Sequence, residues 1–300
     1  DRVLRINASD GQVTKDYAMN STLNPKALVL GDEQVFVFGD ARRYQTIDLL
    51  SATPSGLNTM FEPTGLLNPN IYSAIRGDGT IVYLGANDGV YRWDTTLELV
   101  RLKQSVGAVY DITVGGGYVW ASDSTGDVVY RIHPTTYAVD TITVGNQPMG
   151  LVFDGYYIWV ANLLDNSLTR IQPETLDVQT IDISALGSRP YELIFDGASL
   201  WFSLRDSNGI GSYHISKGEV GEFIFTNLST RDILFDGTFV WVSNYANNSV
   251  SRVSVATGFG QSNSTVTKGL YLFGQSGALY CLYVNGSGVL TANTTLTNCQ

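Results

Sequence analysis

Cysteine and histidine each occur only twice in the 300 residues, and charged side chains make up just 15% of the chain. The two cysteines, Cys281 and Cys299, do not form the paired clusters of a zinc site. They flank a Gly/Ser/Asn/Thr-rich segment at the C-terminal end. A single disulfide is the favoured reading, contributing on the order of 3 kcal/mol by restricting the unfolded chain; two free thiols is the alternative. No apolar run approaches the ~20 residues of a membrane helix. The opening "DRVLRINASD" lacks the charged-then-apolar layout of a secretory signal, so the chain reads as a mature or excised soluble piece. Basic residues are outnumbered by acidic ones, 18 to 28, and the net charge of −10 repels phosphate backbones and anionic lipid. Nucleic acid and membrane insertion are therefore not expected. No nucleophile elbow, phosphate-binding loop or paired metal motif is present.

What the chain does have is Ser, Thr, Asn, Tyr and seven N-x-S/T sequons, at Asn7, Asn20, Asn227, Asn247, Asn263, Asn285 and Asn293. Chance gives roughly three for this composition. Together with the low charge, they point to an extracellular or surface-exposed glycoprotein. The alternative is a virion or bacterial surface protein that never meets a glycosylation enzyme.

It also has a repeat. "FDGYYIWVANLLDNSLTRI" from Phe153 is echoed by "FDGASLWFSLRDSNGIGSYHI" from Phe195 and "FDGTFVWVSNYANNSVSRV" from Phe235. The aromatics after the polar turn are Phe36, Tyr83, Trp120, Trp159, Trp201, Trp241 and Tyr280, in steps of 47, 37, 39, 42, 40 and 39 residues. Asp-Gly or Gly-Gly before five of them, with Gly31-Asp32 and the looser Gly274 to Gly277 as variants, supplies the positive φ of a tight hairpin. Four short β-branched or aromatic runs fill each period, and four strands per ~40 residues is the period of β-propeller blades. The expected fold is all-β, a seven-bladed propeller of four-stranded antiparallel blades. "RINASDGQV" from Arg5 superimposes on "RIQPETLDV" from Arg170. The chain thus starts half-way through a blade, and residues 1–20 and 263–300 share a closing one. The remaining blades are 21–62, 63–104, 105–145, 146–187, 188–227 and 228–262, all in a single domain.

Residues 106–256 resemble the YVTN and NHL class of propeller repeats, through Trp159-Val160-Ala161-Asn162, Ser167-Leu168-Thr169-Arg170-Ile171 and Thr141-Ile142-Thr143-Val144-Gly145. Propellers of this class include lyases, lactonases, surface-layer components and binding platforms, so the resemblance implies a fold more than a function. The streptogramin lyases in this repeat style rely on a histidine base and a metal held by acidic groups. Here His133 aligns with Gln172 in the turn between third and fourth strands. His214 reads as a replacement in the column of Arg5, Arg92, Arg131, Arg170 and Arg252. Both histidines read as structural, leaving no general base at the expected site unless a carboxylate there has its pKa strongly raised by its neighbours.

That site is the end at which each innermost strand starts, by alignment at Ala27, Ala74, Asp111, Gly150, Glu192, Asp232 and Leu270. Asp111, Glu192 and Asp232 share one repeat position and are the candidate oxygen ligands for a divalent cation such as calcium. The other reading makes them solvated acids, or partners of Arg189 and Arg231. Tyr110, Tyr191 and Arg231, one residue earlier, together with Arg189, are candidates for holding a sugar or peptide by stacking and bidentate hydrogen bonds. Asp123, Asn162 and Asn244, three residues after the tryptophan, read as structural turn-formers. The leading expectation is a non-enzymatic binding, adhesion or assembly module with no cofactor, its partner a protein or glycan at a cell or particle surface. The alternative is a divalent-metal-dependent lyase or lactonase.

Overall fold

The structure, a computed structural model, describes residues 2–6, 13–20, 23, 26–30, 34–48, 54–60, 69–76, 81–94, 99–104, 107–226, 229–235, 237, 239–244, 246, 249–254, 271–273, 279–284 and 290–293. All regular structure among them is β. In chain order, β1 (Arg2–Ile6) and β2 (Val13–Ala18) form a two-stranded sheet. Four-stranded antiparallel sheets follow: β3 (Ala27–Leu30), β4 (Gln34–Phe38), β5 (Arg43–Asp48) and β6 (Asn58–Thr59); then β7 (Ile71–Arg76), β8 (Ile81–Ala86), β9 (Gly89–Asp94) and β10 (Leu99–Gln104). The next two comprise β11 (Val109–Gly115), β12 (Tyr118–Asp123), β13 (Val128–Ile132) and β14 (Val139–Thr143), and β15 (Pro148–Phe153), β16 (Ile158–Asn162), β17 (Ser167–Ile171) and β18 (Val178–Asp182). A fifth holds β19 (Pro190–Phe195), β20 (Ser199–Leu204), β21 (Gly209–His214) and β22 (Glu219–Phe225). Two three-stranded sheets complete the described chain: β23 (Thr230–Phe235), β24 (Phe239–Asn244) and β25 (Ser249–Ser254), then β26 (Tyr271–Phe273), β27 (Leu279–Val284) and β28 (Leu290–Asn293). Within each sheet the strands lie in sequence order, as hairpin-by-hairpin connection requires.

The chain forms two compact units, one of Tyr17–Ile181 and the other of Arg2–Asp16 with Asp182–Gln300. The N-terminal strands thus belong with the C-terminal half. The edge of β27 expected to receive the N-terminal strand is taken by β28. Among the described residues no ladder joins β1–β2 to β26–β28.

The seven repeat aromatics occupy one ladder position, each pairing with a residue near the end of the innermost strand: Val29↔Phe36, Ile75↔Tyr83, Thr113↔Trp120, Val152↔Trp159, Ile194↔Trp201, Leu234↔Trp241 and Leu272↔Tyr280. Within each unit the core lies between consecutive sheets. Fully buried Trp120 and Val129 from one meet Leu151, Ile158, Val160 and Ile171 from the next. Burying an indole removes 150–250 Å² from water, roughly 4–6 kcal/mol before entropic costs.

The Asp-Gly turn explains why aspartate and tryptophan recur together. Asp154 Oδ1 accepts the N–H groups of Tyr156 and Tyr157, closing the turn, while Oδ2 accepts the Trp159 indole at 2.7 Å. Asp196 repeats this with Ala198, Ser199 and Trp201. The turn therefore centres one residue later than a bare Asp-Gly motif suggests: Asp154 N–H bonds Tyr157 O, and Gly155 supplies the positive φ of 96°. The Gly-Gly variant has no carboxylate. There Gly116 and Gly117 both take positive φ, 57° and 80°, and the Trp120 indole donates to the Gly115 carbonyl instead.

Two buried tyrosines impose an alkaline limit. The Tyr130 hydroxyl, desolvated and donating to Asp123 Oδ2 at 2.8 Å, has its pKa raised well above 10, and so has Tyr91, which is buried and bonded to Asp88. A phenol whose folded pKa exceeds its unfolded value contributes stability below the unfolded pKa near 10 and loses it as pH rises further. Urea midpoints should hold steady up to about pH 10 and fall above it, and Tyr130→Phe should flatten that fall. An unchanged alkaline slope in the variant would contradict the assignment.

Candidate binding site

Most of the candidate residues lie on a β-bulge that recurs in four of the innermost strands, β11, β15, β19 and β23. The ladder shifts between Val109 and Ile112, Pro148 and Leu151, Pro190 and Leu193, and Thr230 and Ile233, so two residues face one on the neighbouring strand. Those pairs are Tyr110-Asp111, Met149-Gly150, Tyr191-Glu192 and Arg231-Asp232. These four strands therefore start two residues earlier than the repeat alignment indicated, whereas β3 starts at Ala27 as expected, and the carboxylates sit second in a bulge rather than at a strand's first residue.

Each bulge leaves an N–H without a ladder partner, which would be costly if buried. In three of the four a serine opposite the bulge answers it; in the fourth Ala161 stands there. The Asp111 N–H donates to Ser122 Oγ at 3.0 Å, Glu192 to Ser203 at 3.0 Å and Asp232 to Ser243 at 2.8 Å. Ser122 passes its own proton on to Met149 O in the following sheet at 2.7 Å, and Ser203 does the same to Arg231 O. These serines, two residues after each tryptophan, escaped the sequence reading. Their recurrence at positions 122, 203 and 243 is the signal that could have revealed them.

Asp111 is a structural strap. One carboxylate oxygen accepts the N–H of Ile112 at 2.7 Å and the other that of Leu151, on the next innermost strand, at 2.7 Å. Among the described residues no group of three or more His, Cys, Asp or Glu side chains is arranged to hold a metal ion. Asp111 stands in the first unit, Glu192 and Asp232 in the second. Both carboxylate oxygens of Asp111 already accept backbone N–H groups. Asp111→Ala should cost about 1–3 kcal/mol by orphaning the Leu151 N–H, with calcium changing neither protein's urea midpoint. A calcium-dependent difference between the two would restore the metal reading.

The aromatic and basic candidates are placed unevenly. Tyr110 is half-buried. Tyr191, expected as an open stacking platform, is fully buried, with the guanidinium groups of Arg205 and Arg231 at 5.6 and 5.7 Å from its ring centroid. Arg189 has φ of 58°, and its Nε lies 3.3 Å from Asp206 Oδ2. Structure thus adds Arg205 to the set.

Both histidines are engaged. His133 Nδ1 accepts the N–H groups of Thr135 and Thr136, as Gln172 Oε1 accepts that of Glu174 in the next sheet. His214 is not in the arginine column. Ser212 sits opposite Trp201, where Arg131 and Arg170 face Trp120 and Trp159, and His214 lies two residues further on, opposite Ser199. The likeness of "HI" to "RI" disguised that offset. His214 Nδ1 is 3.0 Å from Ser199 Oγ.

The polar position after each tryptophan is buried and structural. Asp123 Oδ1 accepts Thr125 and Gly126 N–H, Asn162 Nδ2 donates to Ser167 and Thr169, and Asn244 Nδ2 donates to Ser251. Of the sequons, Asn20 is exposed. Asn7, Asn227, Asn247, Asn263 and Asn285 lie outside the described residues, as do Cys299 and the side chains of Cys281 and Asn293.

Small sheets of this kind, repeated at a ~40-residue period with a shared bulge and turn, define a β-propeller repeat protein. No protein-family model and no curated sequence matches the chain. Solved structures do. A catalytically inactive histidine-to-alanine variant of virginiamycin B lyase from Staphylococcus aureus, solved with quinupristin, superimposes with TM-score 0.68 at 18% identity, covering 81% of this chain and 84% of that one. A streptogramin B lyase gives 0.66 at 16%, over 90% and 94%. The hydrazine synthase of Kuenenia stuttgartiensis gives 0.69 at 15%, over 85% and 90%. The fold of this chain is that of the streptogramin-lyase-like β-propellers.

Proposed function

We propose that the chain is a recognition module: a secreted or surface-displayed propeller that binds or assembles with a protein or glycan through the end at which its innermost strands start. The observation that carries this reading is that both histidines, the only imidazoles in the chain, hold turns and strands together. One similar structure is a lyase described as catalytically inactive when a histidine is replaced by alanine. A base of near-neutral pKa is what such chemistry calls for, and no imidazole here is available for it. Incubation with quinupristin and magnesium should leave the compound's chromatographic retention unchanged; conversion would overturn the reading.

The fold likeness favours one competing reading, a cation-dependent lyase or lactonase at Asp111, Glu192 and Asp232. Calorimetric titration with calcium, magnesium and manganese separates the two. The recognition module gives no heat. Cation binding abolished by the triple change Asp111→Asn, Glu192→Gln, Asp232→Asn would support the enzyme.

Seven blades, with β1–β2 and β26–β28 both contributing to the closing one, is the finer architecture we infer. Support comes from the sevenfold aromatic position and from the grouping of Arg2–Asp16 with Asp182–Gln300. The exposed Asn20 sequon fits a glycosylated surface protein.

A further inference from the structure

One backbone hydrogen bond recurs where the loop after the second strand folds back on the residue preceding the first. It joins Ser124 N–H to Ala108 O at 3.2 Å, Leu163 to Gln147 at 3.0 Å and Arg205 to Arg189 at 3.0 Å. Main-chain atoms alone make this bond, so side chains at the two positions are unconstrained by it: Ala/Ser, Gln/Leu and Arg/Arg all serve. Two like charges on directly bonded positions oppose stability. The arginine pair is therefore a feature the fold does not require. Arg205 and, from the neighbouring innermost strand, Arg231 bring two guanidinium groups to the same tyrosine ring, and Arg189 lies two residues before that tyrosine.

We infer that Arg189, Arg205 and Arg231 form, around Tyr191, an anchoring site for a ligand carboxylate. This deepens the recognition-module reading and rests on it. A guanidinium lying over an aromatic face keeps its N–H donors in its own plane, where they match a carboxylate in a two-pronged fork. Arg205 is the anchor. Among the described residues its side chain contacts the Tyr191 ring and makes no ion pair or side-chain hydrogen bond. Arg189 already faces Asp206, but both side chains are more than two-fifths exposed, at 43% and 47%, so water screens the pair and a ligand can compete for it. Glu192 and Asp232 follow Tyr191 and Arg231 directly, and their charge disfavours a polyanion, which favours a ligand with a single carboxylate among neutral hydroxyls. The ligand class that fits both signs is a hydroxylated monocarboxylate, as in a sugar acid.

The test titrates the intact chain with D-glucuronate, using D-glucose and inorganic sulfate as controls, by calorimetry and by two-dimensional NMR. Glucuronate should bind and be displaced by acetate, with glucose and sulfate weaker by about ten-fold or more. Arg205→Gln should weaken glucuronate by about ten-fold, and Arg205→Lys by less. Arg170→Gln, which removes a guanidinium stacked on Tyr157, should change nothing. Acetate displacement on the unaltered chain keeps the test valid if Arg205→Gln disturbs its loop. Absence of glucuronate binding, glucose binding as tightly, or an unaffected Arg205→Gln would each overturn the inference. A neutral glycan or protein ligand bound without carboxylate preference would overturn it too, yet leave the recognition-module reading standing, whereas conversion of quinupristin would remove that reading itself.

Discussion

Replacing Trp159 by alanine should lower the free energy of unfolding by about 3–5 kcal/mol, the usual result of emptying a buried indole site. Trp159 is fully inaccessible to water, and its ring N–H donates to Asp154 Oδ2. The variant loses the packing of Trp159 and leaves a turn carboxylate short of a donor. Trp159→Phe separates the two contributions, since it keeps most of the ring and should cost about 1 kcal/mol for the hydrogen bond, with some further loss of volume. Urea midpoints for both variants and for Asp154→Ala make the comparison. A loss below about 1 kcal/mol in Trp159→Ala, small for a buried aromatic, would mean that the repeat aromatic does not anchor its sheet.

Removing residues 1–16 should lower the thermal midpoint by on the order of 10 °C, equivalent to a few kcal/mol for a domain of this size. Arg2–Asp16 group with Asp182–Gln300, so truncation takes two strands from the C-terminal unit and leaves Tyr17–Ile181 covalently intact. A synthetic peptide of residues 1–20 added in trans should restore part of the lost midpoint in a concentration-dependent way. A truncated chain that melts like the full one would sink the closing-blade architecture.

The aromatic column was legible because period and pairing coincide: an aromatic every ~40 residues after a glycine turn falls at one ladder position, from Phe36 to Tyr280. The bulges were not legible. Binary pattern encodes which face a residue occupies, and two adjacent residues opposing one look like a slip in strand boundaries. Hence Tyr110-Asp111 and Arg231-Asp232 registered as two separate columns of candidate ligands. His214 was misplaced for a related reason, because local spelling outweighed spacing, and only its pairing with Ser199 corrects it. Arg205 was passed over because a charge in a polar loop resembles an ordinary solvated residue. Its significance depends on the backbone bond to Arg189, which no one-dimensional pattern carries.

The links between consecutive sheets have a consequence for how such a chain can change length. Ser122 and Asp111 reach forward to Met149 and Leu151, Asp127 to the Gln147 N–H, and Asn208 to that of Ser229. Each of these linked segments thus offers a hook to the neighbour that follows it. A gene duplication copying one whole period would deliver a newcomer already carrying these fastenings, whereas an insertion of half a period would arrive with them mismatched. Growth and loss by complete units is the mode of evolution that this stitching permits.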